Sequence, residues 1–188
     1  MTKSFFDRWA GALGGFSMLL LLIGLWYGLF GREDHEARDI RGRTPIIVAA
    51  EEGDAVRVRQ LLTKGVQVDA VDDCRWTAMM RAAASGHADI VITLLEHGAA
   101  IDHREKSGYT AVMAAVINNH PDMLAALLRR GADVNVQETE GGNSALMWAA
   151  KDGNAAMLQM LLEAGADPAL RNKAGETARD LSDQRLAQ

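Results

Sequence analysis

His35, His87, His97, His103 and His120 could ligate a metal or move protons, and Cys74 could serve as a nucleophile. A metal site needs several such donors brought together. Any two of these histidines would need carboxylate help that no spacing in the sequence marks. His87 and His120 share one position of a repeat described below, which reads as a structural slot. His97 falls at a helix C-terminus, where a cation is favoured. Cys74 is the only cysteine, so there is no internal disulfide and no cysteine-based zinc site. No serine or cysteine stands in a nucleophile motif, and no glycine-rich phosphate loop is present. The 25 acidic residues fall mostly in turns and on helix faces, where solvation is their ordinary role. No catalysis, cofactor or resident metal is expected. The net charge of -5 argues against a nucleic-acid partner, whose phosphates need clustered Lys and Arg.

The residue types that remain suit recognition. Trp, Tyr and Arg dominate binding energy when they stand near the middle of a surface. Here they occur at matched positions of a recurring sentence, such as "RWTAMMRAAASGHADIVITLLEHGA". Aligned on Thr44, Thr77, Thr110 and Ser144, four copies follow at steps of 33, 33 and 34 residues. Gly65, Gly98, Gly131 and Gly165 keep the same steps. A fixed period near this length marks a stacked helical array.

Each hydroxyl residue stands where an N-cap belongs, and Pro45 suits the first helical position. A short helix follows, for example over Ala78 to Ser85, with alanines that allow close approach. Gly53, Gly86, Asn119 and Gly153 break the chain where a left-handed residue is needed. A second helix then carries an apolar stripe, as in Ile90, Val91, Leu94 and Leu95, and ends on a glycine. About ten residues before the next cap hold little helical pattern and should protrude as a turn or hairpin.

These strings resemble the ankyrin repeat, with its T-P-L-H-x-A-A, G-H, L-L and G-A signature. The matching runs are "TPIIVAAEEGD", "TAMMRAAASGH", "TAVMAAVINNH" and "SALMWAAKDGN", followed by "LLTKG", "LLEHGA", "LLRRGAD" and "LLEAGAD". The resemblance covers residues 37–188. It implies an all-α ankyrin-repeat solenoid of four repeats plus a partial, polar capping repeat that begins at "GETARDLSDQRL". The family's histidine becomes Ile47, Met80, Met113 and Met147, so an apolar ladder is expected there. Arg75 replaces a glycine, which puts that turn's geometry in question.

Ankyrin arrays bind proteins, usually through the protruding turns and first helices. The resemblance therefore assigns partner binding to Trp76 and Tyr109 before the caps, to Arg81, Trp148, Ile117 and Lys151 on the first helices, and to Lys106 in a turn. Local packing is the alternative for the rings, and Trp148 in particular stands where side chains also pack between helices.

Ahead of the array, no charge occurs from Trp9 to Gly31. Residues 1–9 read as a short tail, 10–31 as one transmembrane helix and 32–36 as a linker. Within that helix, the twenty-one residues from Ala10 to Phe30 would span about 31 Å, near the thickness of a bilayer core. A cleaved leader would have a shorter apolar stretch and small residues at its exit, where this chain has "LWYGLFGRED". Trp9, Trp26 and Tyr27 suit the interfaces. Lys3 and Arg8 in the tail favour an uncleaved signal anchor with the array outside the cytoplasm, although the arginines after the span counter this. Gly11 with Gly15, and Gly24 with Gly28, would let other transmembrane helices approach. The plan resembles bacterial inner-membrane ankyrin proteins, some of which support a periplasmic catalase. It implies an adaptor that holds a protein partner near the membrane. The alternative is an accessory subunit docked through its transmembrane helix.

Overall fold

The computed structural model describes residues 34–187. The tail, the proposed transmembrane helix with Gly11, Gly15, Gly24 and Gly28, and the first two linker residues lie outside them. Among the described residues, no helix is long and apolar enough to cross a membrane.

Among the described residues, four helix pairs and one last helix follow one another: α1 (Pro45–Glu52) and α2 (Ala55–Thr63), α3 (Ala78–Ser85) and α4 (Ala88–Glu96), α5 (Ala111–Ile117) and α6 (Pro121–Arg129), α7 (Ala145–Asp152) and α8 (Ala155–Glu163), then α9 (Ala178–Leu186). Between pairs the chain makes turns, with two isolated antiparallel bridges, Val71 to Thr77 and Gln137 to Ser144, as the described β pairing. First helices pack on first helices and second on second, so each repeat is buried chiefly by its neighbours.

The core follows the repeat letters. Ala78, Ala82, Ala83, Ala111, Ala115 and Ala149 are fully buried, which brings the first helices close together. Ile47, Met80, Met113 and Met147 are buried in one column, so the apolar ladder replaces the family's histidine as expected. In the second helices Ile90, Val91, Leu94, Leu124 and Leu127 are wholly buried. Leu95 is only half-buried and flanks the stripe.

Thr77, Thr110, Ser144 and Thr177 each accept a hydrogen bond from the backbone N–H three residues on, as N-caps do. Asp180 returns the bond to Thr177, which completes a capping box on the last helix. Thr44 departs from the expectation. Its side chain caps nothing, the Ile47 N–H goes to the Thr44 carbonyl instead, and the hydroxyl is buried without a partner.

The histidine slot is a cross-repeat link. His87 Nε2 lies 3.3 Å from the Glu51 carbonyl and His120 Nε2 lies 3.1 Å from that of Ala84. Each ring covers a left-handed glycine of the preceding repeat, Gly53 or Gly86, leaving no room for a Cβ at Gly53 and little at Gly86. Asn154 bonds Asn119 at the next step, and the Arg185 guanidinium covers Gly153 at the last. Asn119 takes the positive φ that its position requires. Arg75 does so too, with φ of +66°, at the step where Gly42, Gly108, Gly142 and Gly175 stand elsewhere.

A second ladder ties the turns together. Glu36, Asp69, Asp102 and Asn135 accept from the backbone N–H of Gln67, Ala100, Asp133 and Asp167 at 2.8 to 3.2 Å. Glu36, assigned above to the linker, is thus its first rung.

Candidate protein-binding face

The residue before each cap is held by an acceptor four or five positions earlier. Asp72 Oδ1 accepts from Cys74 N and Trp76 N, both at 2.9 Å. Glu105 Oε1 accepts from Ser107 N and Tyr109 N at 2.8 and 3.1 Å. Asp39 serves Arg41 and Arg43, Glu138 serves Gly141 and Asn143, and Asn172 serves Ala174 and Glu176. The turn therefore folds around that acceptor, which is buried at Asp72, Glu105 and Glu138, half-buried at Asn172 and exposed at Asp39, and which fixes where Trp76 and Tyr109 stand. Sequence reasoning missed these five residues. They recur at the repeat's own steps, and that signal was readable, but charged turn residues look solvated until the turn closes on them.

At the N-terminal end, the face is an ion-pair network. Arg43 bonds Asp39 and Glu51. Arg81 bonds Asp72, lies 3.8 Å from Glu51, and places its guanidinium 4.6 Å from the centre of the Trp76 ring. Hydrogen bonding to Arg43 holds the Asp39 carboxyl down at about 2. Two of the anticipated binding residues, Trp76 and Arg81, thus form one unit with a buried aspartate beneath it.

Further along, Tyr109 and Trp148 come together with ring centroids 6.0 Å apart, and Lys151 Nζ lies 4.8 Å from the Trp148 ring. Both rings are half-buried against the core, so packing and exposure coexist in them. The Trp148 Nε1–H is buried with no hydrogen-bond partner. Ile117 is exposed at the end of α5, and Lys106 is exposed in its turn.

Burial raises the Tyr109 hydroxyl pKa, and the charges of Glu138, Glu140 and Glu105 raise it further. Burial pushes the Glu138 carboxyl up as well. The N–H groups of Asn143, Gly141 and Glu140 outweigh that and hold it below the usual range.

The family model described as ankyrin repeats (three copies) matches residues 9–105 and 97–172. The chain belongs to the ankyrin-repeat family. No curated protein matches it. The fifth ankyrin unit, with α9, lies beyond the second matched stretch. Ankyrin repeats are protein-interaction modules and typically carry no catalytic chemistry. Among the described residues, no three His, Cys, Asp or Glu side chains are grouped to hold a metal ion.

Proposed function

We propose that this ankyrin protein is a membrane-anchored adaptor whose turns and first helices hold a protein partner close to the bilayer. The observation that carries the reading is the row of ring and charged side chains, Trp76 with Arg81 and Tyr109 with Trp148 and Lys151, displayed from a rigid stacked scaffold. The uncharged run from Trp9 to Gly31 supports the anchor. The tail charges Lys3 and Arg8 favour a periplasmic array on the inner membrane, where a catalase-like enzyme is a partner suggested by family analogy.

The paired glycines of the apolar run favour the second reading, an accessory subunit docked by its helix. One co-purification in mild detergent separates the two. Under the adaptor reading, Tyr109→Ala or the more exposed change Ile117→Asn weakens capture of the partner while the unfolding midpoint is held as a control. Loss of a central aromatic anchor is worth on the order of 2 kcal/mol, about thirtyfold in affinity. An array fused to an unrelated anchor should still capture the partner. Loss of the partner on swapping the anchor, with indifference to both face changes, selects the subunit reading.

A further inference from the structure

The turn carboxylates divide the ankyrin face electrostatically. In the first two repeats, Asp39, Glu51 and Asp72 are all matched by Arg43 and Arg81. In the next two, Glu105, Glu138 and Glu140 make no ion pair among the described residues. Of the basic residues around those turns, Lys106 is exposed and makes no ion pair among the described residues, and three others are engaged elsewhere. Arg104 donates to the Gln137 carbonyl at 2.7 Å and Lys173 to that of Thr139 at 2.5 Å. Lys151 lies against the Trp148 ring and acts electrostatically on Glu176.

The second repeat shows what this fold does with a carboxylate beside a ring: Asp72, Trp76 and Arg81 close into a triad of anion, aromatic face and guanidinium. The third repeat keeps the carboxylate, as Glu105, and the ring, as Tyr109, but has Ala114 in place of the arginine. Glu105 is 9% exposed, and only one of its oxygens accepts hydrogen bonds. Its second oxygen has none of the cation pairing that Asp72 enjoys. A carboxylate so placed gains most from a cation brought by a ligand, because the pair is partly screened from water.

Resting on the protein-binding reading above, we infer that the partner is a basic polypeptide segment, and that it seats an arginine or lysine side chain against Tyr109 and Trp148 beside Glu105 and Glu140. The elevated Tyr109 pKa comes first from burial, and the charges of Glu138, Glu140 and Glu105 add to it, in keeping with that geometry. The cation that repeat two supplies from its own helix is supplied to repeat three by the partner.

The test uses the full-length chain in mild detergent and a displayed library of random short peptides as the probe. Peptides whose binding requires Tyr109 should be enriched in arginine or lysine. Replacing that residue by neutral citrulline or acetyl-lysine should weaken binding by about tenfold or more. The same replacement should cost under about threefold against a chain carrying Glu105→Gln and Glu140→Gln, because the charge it would meet is gone. The citrulline comparison leaves the protein unaltered, so a folding defect cannot mimic it. Tyr109-dependent peptides that are acidic or uncharged, or that show no coupling to the glutamates, overturn the basic-segment inference and leave the protein-binding reading standing. Peptides that all bind indifferently to Trp76→Ala and Tyr109→Ala, or a selection that yields none, overturn both.

Discussion

Thr44 and Thr77 stand at one step of the repeat and yet differ in what their hydroxyls do. Thr77 caps α3 by accepting from Met80 N at 3.3 Å, whereas the Thr44 hydroxyl is buried and unbonded. Replacing both by valine should therefore give opposite results in chemical denaturation. Thr77→Val should cost about 1 kcal/mol, the usual worth of a cap. Thr44→Val should cost nothing or stabilise, because it removes a buried polar group that has no partner. Arg75 offers a second residue-scale prediction. Its left-handed backbone costs a non-glycine residue about 1–2 kcal/mol, part of which glycine would return as unfolded-state entropy. Arg75→Gly should raise the stability of the array by about 0.5–1 kcal/mol in the same assay, and a fall would mean the arginine side chain makes up for its own strain. For Tyr109, absorbance titration should show ionisation above the ordinary value of 10.0, and Tyr109→Phe should abolish that step.

At the scale of the helix pair, the second helix is held by its apolar stripe. Leu94 and Leu127 are wholly buried at the same step of successive repeats. Truncation of either to alanine should cost about 2–5 kcal/mol in denaturant unfolding, and a cost near zero at both would deny that the stripe is core. The turns add a pH dependence. Asp39, Glu138, Glu176 and Asp180 are all held below their ordinary values. A depressed carboxylate favours the folded state once ionised, so that contribution is complete above the unfolded value and lost as the pH falls through the folded one. For Asp39 the window runs from 3.8 down to about 2. The unfolding midpoint should fall across this range, and less steeply in Asp39→Asn. Helices, caps and core were legible in the sequence because they repeat as apolar letters and hydroxyls. The acceptor columns at Asp72, Glu105 and Glu138 were not, because Asp, Glu and Asn alternate there and act only once a turn wraps them. The sequence proposes Arg81 as a partner contact and does not show that its guanidinium is also engaged by Asp72 and Trp76 from its own turn. Side-chain pairing of that kind depends on which rotamers the fold brings together, and the repeat period does not record it.

At the scale of the whole chain, the open question of orientation can be put to a residue the protein already has. Cys74 is the only cysteine, and it is exposed in the turn beside Arg75. A bulky, membrane-impermeant maleimide therefore reports on one site, with no engineered change to the fold. If the basic tail stays inside and the array lies across the membrane, Cys74 should be labelled in spheroplasts with an intact inner membrane, to about the same extent as after detergent lysis. The labelled species should be the full-length protein with its Met1 end present, since the apolar run is proposed to remain uncleaved. Protection in spheroplasts that detergent relieves would place the array in the cytoplasm, and Arg32, Arg38, Arg41 and Arg43 would then be the charges that set the orientation. Denaturant before labelling distinguishes this outcome from masking of Cys74 by a bound partner. A partner-shielded thiol becomes reactive in isolated, right-side-out vesicles once the partner is stripped by high salt, whereas a cytoplasmic one stays protected until the bilayer is opened. The salt step also bears on the basic-segment inference, because contacts between exposed charges are the ones that screening weakens. Shielding that survives both high salt and opening of the bilayer, and yields only to denaturant, would count against an electrostatically held partner at this end of the array.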